Sequence, residues 1–195
     1  MLTSQRFMVG MVTALMFVLV SLASAAEFSA TVFSKAKGEE MQGKVFVKGD
    51  KMRNEVNMGG ETNITITRPD KKVVWIAMPQ QKMYMEMPLS DKMQQRMALK
   101  DPEIRARMKL LGTETVNGYE CEKYEMSNVV EGKPITSHVW IAKKFGLSIK
   151  SVTTDGSMSM EYRDIKVGGV ADSVFEMPQG YQKMEMPSMK MPPKK

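Results

Sequence analysis

The stretch Arg68–Pro88, RPDKKVVWIAMPQQKMYMEMP, decides how the rest of the chain is read. It reads as a β-hairpin: Pro69-Asp70-Lys71 turns the chain into an apolar strand, Val73–Met78, then Pro79 and Gln80-Gln81 break it before Lys82–Met87. Side chains of an extended strand alternate, so Met83, Met85 and Met87 share one face while Lys82, Tyr84 and Glu86 share the other. A face of three methionines is compatible with ordinary core, with the wall of a cavity for an apolar ligand, or with a thioether platform for a soft metal. Val73–Met78 is apolar on both faces around Trp75, which predicts a central strand covered on each side.

Upstream, short alternating segments separated by turn residues predict antiparallel strands. Phe28, Ala30 and Val32 give one face of a first strand, and Val45 and Val47 one face of Met41–Lys48, which ends at Gly49-Asp50. Lys51–Met58 is a third strand. Glu61–Arg68 is a fourth, with Ile64 and Ile66 expected inward and Asn63, Thr65 and Thr67 outward. Downstream, Ser90 is placed to cap a helix carrying Met93 and Met97 one turn apart. Asp101-Pro102 starts a second, in which Ile104, Met108 and Leu111 fall at i, i+4, i+7 before Gly112. This 90–111 insertion is the expected cover of the sheet.

Strands resume at Thr113. Asn117-Gly118 and Asp155-Gly156 are hairpin signals, and the opposite parities of Tyr119/Cys121 and Tyr124/Met126 predict a bulge near Glu122-Lys123. Val174-Phe175 and Gly180-Tyr181 read as a last pinned segment. The fold expected is therefore mainly β, a sheet of about ten or eleven antiparallel strands with one helical insertion.

The ends carry their own information. Arg6, an apolar run from Phe7 to Leu22 and Ala23-Ser24-Ala25 have the order of a secretory signal peptide, so residues 1–25 are expected to be removed near Ala25-Ala26. The residue directly after Ala25 is alanine, not cysteine, so no lipid anchor is expected on the product, which reads as soluble and periplasmic. Residues 26–183 are then one domain, and 184–195 a Met/Pro/Lys-rich tail without a core pattern. The whole chain carries 28 basic and 22 acidic residues, scattered rather than clustered, and nucleic acid is not an expected partner. Cys121 is the lone cysteine and is read as a small buried hydrophobe; packing, not a disulfide, must hold the fold.

No nucleophile elbow, zinc-protease motif, CxxC or phosphate loop occurs, and the sole histidine, His138, falls by parity beside Trp140 in a structural or surface role. An enzyme is not expected. Methionine is the compositional outlier, with 22 in the chain. The tail residues Met184, Met186, Met189 and Met191 have the spacing of a soft-ligand segment suited to Cu(I). Elsewhere methionine suits a ligand cavity, because its unbranched, polarisable side chain adapts to varied shapes. The candidate lining is Trp75, Met83, Met85, Met87, Met93, Met97, Ile104, Met108, Leu111 and Trp140.

Asp70, Trp75 and Pro79 together resemble the D-x-x-x-x-W-x-x-x-P hairpin of LolA-like outer-membrane lipoprotein-sorting proteins, and Phe175–Tyr181 resembles that family's terminal F-x-x-P-x-G stretch. RPDKKVVW, VNGYECEKYEM and WIAKKFGLSIK are similar, more closely, to an uncharacterised bacterial periplasmic family of the same fold. The resemblance implies an unclosed β-barrel with a helical lid over an apolar groove. No counterpart of the arginine latch of LolA-like carriers is identified, so their carrier activity is not implied. The expected function is a non-catalytic periplasmic binding or carrier protein for a hydrophobic ligand, a lipid or lipoprotein acyl chain, without a cofactor. The alternatives are a Cu(I)-binding protein acting through its tail, and an envelope module that holds a segment of a partner protein.

Overall fold

The computed structural model describes residues 26–36, 38–97, 102–130 and 133–184. Residues 1–25, read above as a signal peptide, and the tail positions Met186, Met189 and Met191 lie outside these residues.

Twelve strands form one sheet: β1 Glu27–Ala36, β2 Glu39–Lys48, β3 Lys51–Met58, β4 Glu61–Arg68, β5 Val73–Met78, β6 Met83–Pro88, β7 Met108–Val116, β8 Tyr119–Val130, β9 Lys133–Ala142, β10 Leu147–Thr153, β11 Met158–Val167 and β12 Gln182–Lys183. Their order in space is β12-β6-β5-β4-β3-β2-β1-β11-β10-β9-β8-β7. Two meanders, β1 to β6 and β7 to β11, thus join where β11 pairs with β1. Every pairing is antiparallel except the short parallel one of β12 on β6.

Local chemistry sets the turns. The hairpins around β5 repeat one device: a 3-10 turn with proline first, Pro69–Lys71 and Pro79–Gln81, closed by a left-handed lysine. Lys72 (φ 54°) and Lys82 (φ 49°) each donate their backbone N–H to the preceding proline carbonyl at 3.1 Å. Asn117 and Gly118 (φ 50° and 81°) both take the left-handed conformation that a two-residue hairpin turn requires.

The sheet curls. Phe145, in the β9–β10 turn, brings its ring centroid to 4.9 Å from that of Phe28 on β1, although a flat sheet would hold β1 and β9 roughly 14 Å apart. Val45, Val47 and Met52 join the same buried cluster as Phe145, Leu147 and Ile149, from strands on the far side of β1. Gly43 belongs to this curvature: a Cβ there would lie 1.9 Å from the Glu55 carbonyl oxygen, so only glycine permits β2 and β3 to approach as they do. The result is an unclosed half-barrel, mainly β as expected, with its buried core at the end where β1 starts and β2 finishes.

The chain covers both sides of the first meander. The connection between β6 and β7, which stand near opposite margins of the sheet, contains helices α1 (Asp91–Met97) and α2 (Pro102–Arg105), and its Leu89 and Met93 pack on Val74 and Ile76 of the inner side. Ser90 caps α1 as expected, its Oγ accepting the Met93 N–H at 3.2 Å. The outer side of β2–β6 is covered by the segment from Gly168 to Tyr181, which we call the strap. Val170, Val174, Phe175, Met177 and Tyr181 pack there on Phe46, Ile64, Ile66, Trp75 and Tyr84.

Three expectations are corrected. The helical face through Ile104, Met108 and Leu111 does not form, because the helix ends at Arg105 and Met108–Val116 is β7. The run Leu110–Val116 contains β-branched Thr113, Thr115 and Val116, and it finds a backbone partner in β8, with a register shift between Leu110 and Gly112. The bulge predicted in β8 is absent: β8 pairs β9 without interruption from Cys121 to Val130, and the irregularities lie in β7 and β10. Finally, Ile64 and Ile66 face the strap, whereas Thr65 and Thr67 face the inner side.

Candidate functional site: the methionine face

Following side-chain parity from strand to strand shows what the inner side is made of. Across the first meander, Met87 stands opposite Val74, Val74 opposite Thr67, and Thr67 opposite Met52. The next row is Met85, Ile76, Thr65, Asn54 and Val45, and beyond it Met83 stands opposite Met78. Running from the first meander into the second, Met41, Ser34, Met160, Ser151, Val139 and Tyr124 form one row, and Met108, Met126 and Ser137 another. Every strand methionine whose side chain is described lies on this one face. The outer face of β2–β6 is equally apolar, yet it is built from isoleucine, tryptophan, alanine and phenylalanine.

Burial varies over the face: Met126 and Met160 are buried, whereas Met87, in the row of Met52, is half-buried. Met52 is sealed into the core at the closed end, where Phe28, Val45 and Val47 are fully buried. Met41, Met78, Met83, Met108 and Met158 are only half-buried. Near β6, Val74, Ile76 and Leu89 are buried, and half-buried Met85, Met87 and Met93 pack against them. Leu89 anchors the connection to β7 here through its N–H to the Lys72 carbonyl at 2.8 Å. Hydroxyls interrupt the apolar rows: Thr67, Ser137 and Thr153 are buried, and Ser151 Oγ, between Met160 and Val139, is buried with no hydrogen-bond partner among the described residues.

Of the residues singled out in the sequence, Met85, Met87 and Met93 pack on one cluster, and Met83 shares their strand face opposite Met78. Met108 reaches the same face by a different route, as a strand residue opposite Met126. Leu111 lies in the irregular part of β7 and is exposed, and Ile104 is half-buried on α2. The side chain of Met97 falls outside the described set. The two tryptophans leave the group. Trp75 is paired with Glu86 on the outer face beneath the strap, its indole N–H donating to Glu86 at 2.9 Å with Lys71 above the ring at 5.2 Å. Trp140 is in register with Lys123, on the face opposite Tyr124 and Val139. It donates to Glu114 at 2.7 Å, with the Lys123 and Lys150 ammonium groups 4.9 and 5.2 Å from the ring. His138 stands edge-on to Trp140 at 6.2 Å, as parity predicted. Met41, Met52, Met78 and Met126 share this face too, a placement that becomes readable only once the strand pairing is known.

Charge is concentrated on the outside. Arg68, 5% exposed, holds Asp70 through two hydrogen bonds (2.8 and 2.7 Å), the Phe175 carbonyl at 3.1 Å and Glu176 at 2.6 Å. Those bonds hold the Asp70 carboxyl down to about 2. The Lys71 ammonium, with Arg68, lowers Glu176 as well. Lys48 and Lys51 hold Asp172 at 3.0 and 3.1 Å. Two stretches that carry the LolA-like resemblance, around Asp70 and Phe175, thus fasten the strap to the sheet. Cys121 is fully buried, and desolvation raises its thiol above the usual range. Among the described residues no group of three or more His, Cys, Asp or Glu is placed to hold a metal ion, and no helix is long and apolar enough to cross a membrane.

Comparison with solved structures places this architecture. An uncharacterised conserved protein from Thermus thermophilus superposes with a TM-score of 0.58 at 16% identity, covering 83% of this chain and 91% of that one. MucB, in its complex with MucA(peri), superposes with a TM-score of 0.51 at 14% identity, covering 86% of this chain and 61% of that one. At these identities the likeness is one of fold, an unclosed half-barrel of one large sheet. A comparison with curated proteins finds no match. Residues 31–148, from the middle of β1 into β10, match a family described as "Domain of unknown function (DUF4412)", and the chain belongs to that family.

Proposed function

We propose that this is a non-catalytic binding or carrier protein of the bacterial cell envelope, which takes an apolar ligand such as a lipid or lipoprotein acyl chain on the methionine face. One observation carries the reading. The strand methionines are gathered on the inner face of an unclosed sheet, where Met41, Met78, Met83, Met108 and Met158 stay only partly buried, whereas Ile64 and Ile66 of β4 are buried beneath the strap on the outer face. Apolar surface left accessible along a curved sheet marks a binding surface rather than a finished core. Thioether side chains have three soft torsions and suit chains of varied length. Support from relatives is limited to the shared fold and to MucB, which has been solved with a bound partner. The leader at residues 1–25 accords with export.

The test is native mass spectrometry of protein purified from the periplasm, followed by titration of delipidated protein with fatty acids and phospholipid. Co-purified lipid, or saturable binding that a charge on the face (Met83→Glu) reduces at least ten-fold, is the expected result. Ligand-free protein that ignores both lipid classes refutes the proposal.

A further inference from the structure

We infer that the margin of the methionine face holds a binding site for a soft monovalent metal ion, Cu(I) or Ag(I), built from the thioethers of Met85, Met87, Met93 and Met184. The site is independent of the apolar-ligand reading, although both draw on the same face.

The geometry converges from three elements. Met85 and Met87 are two residues apart on β6 and therefore point the same way. Parallel pairing sets Gln182 beside Met83 and Lys183 beside Tyr84, and the Met184 N–H donates to the Tyr84 carbonyl at 2.7 Å. Strand parity then places Met184 next to Met85 on the inner face, about 4.8 Å away across the sheet. The parity is checked independently, since Lys183 reaches Glu86 on the outer face at 2.7 Å. From above, α1 lays Met93 on the same cluster of Val74, Ile76 and Leu89 as Met85 and Met87.

The chemistry selects the ion. Thioether sulfur is neutral and soft, and it ligates Cu(I) in preference to hard divalent ions, which require oxygen ligands. All four methionines are half-buried, and Met85, Met87 and Met93 are flanked by the buried aliphatic side chains of Val74, Ile76 and Leu89, which limit competing water. The nearby carboxylate, Glu86, is turned to the other face and occupied by Trp75 and Lys183. Met184 is also the first residue of the Met-rich tail, so the pattern read there in sequence begins inside the folded site.

The experiment titrates full-length reduced protein with Cu(I) against a chromophoric chelator, under anaerobic conditions. It compares Met85→Leu/Met93→Leu/Met184→Leu with the tail variant Met186→Leu/Met189→Leu/Met191→Leu. Leucine keeps most of the apolar volume and removes the sulfur, so the fold persists in both. We expect at least a ten-fold loss of Cu(I) affinity in the first variant and less than three-fold in the second. Methionine-methyl NMR of the unsubstituted protein gives a second readout: Ag(I) is expected to shift Met85, Met87, Met93 and Met184 before other methionines. Absence of binding by the unsubstituted protein, equal loss in both variants, or first shifts in the tail overturns the inference.

Discussion

The two faces of β2–β6 are made by the same strands, and both are apolar, yet they are built differently. The outer face sets Ile64, Ile66, Trp75 and Ala77 against Val170 and Phe175 of the strap, all buried. These side chains are branched or ring-shaped, with few rotamers, and they fit one partner surface. The inner face sets Met83 against Met78, Met85 against Ile76 and Met87 against Val74, and leaves these four methionines half-buried. Methionine adapts its shape at little energetic cost, which suits a surface whose partner is not part of the chain. Hydrophobicity alone does not separate core from site here; side-chain stiffness does.

The largest expected effect falls on the outer face. Phe175 is fully buried between strap and sheet, and Phe175→Ala removes a large packed ring, so a loss of about 3–5 kcal/mol is expected in urea unfolding. Met83→Ala, on the half-exposed inner face, should cost about 1 kcal/mol or less. Equal losses at the two positions would show that the inner face is packed core and would break the contrast.

The strap's polar fastening should appear in the pH dependence of stability. Asp70 is held at about 2 by Arg68, below its unfolded value of 3.8. A depressed carboxylate stabilises the fold above its unfolded pKa, and that contribution disappears as pH falls toward the folded value. Stability should therefore decline between about pH 4 and pH 2, and Asp70→Asn should flatten the decline while lowering stability at neutral pH. Parallel acid profiles for the two proteins, measured by chemical denaturation at each pH, would show that the Arg68–Asp70 contact does not couple strap to sheet. Asp70 is substantially exposed, so the effect should be smaller than that of Phe175→Ala.

How much of this was legible in the sequence follows from what each signal depends on. The hairpin Arg68–Pro88, the alternating strands and the hairpin turn at Asn117-Gly118 rest on local chemistry, and they stand in the structure where the sequence places them. The stretch after Met97 did not yield, because Ile104, Met108 and Leu111 match a helical period while β7 is fixed by its pairing with β8. Parity located Met83, Met85 and Met87 relative to one another but could not say which face of the sheet was inner. For that reason the threonines of β4 were assigned outward and the tryptophans to the lining. Trp75 and Trp140 are as apolar as lining residues should be. Their indole N–H groups decided otherwise, each taking a glutamate on the outer face.

The smallest expected effect is the most discriminating. Met83→Leu/Met85→Leu changes two inner-face residues to stiffer isosteres, and Ile66→Met makes the reverse exchange on the outer face. If the inner face is an adaptable surface, the double leucine variant should keep its stability within about 1 kcal/mol. It should also narrow the range of fatty-acid chain lengths that bind, because leucine has fewer ways to follow an irregular ligand. Ile66 is fully buried against the strap's cluster, so Ile66→Met should cost about 1 kcal/mol from that one site and leave lipid binding unchanged. Calorimetric melts and a chain-length series of fatty acids measure both quantities on the same three proteins. A double variant that loses more stability than Ile66→Met, with no change in chain-length range, would mean that the methionines hold the fold together and that the ligand surface lies elsewhere.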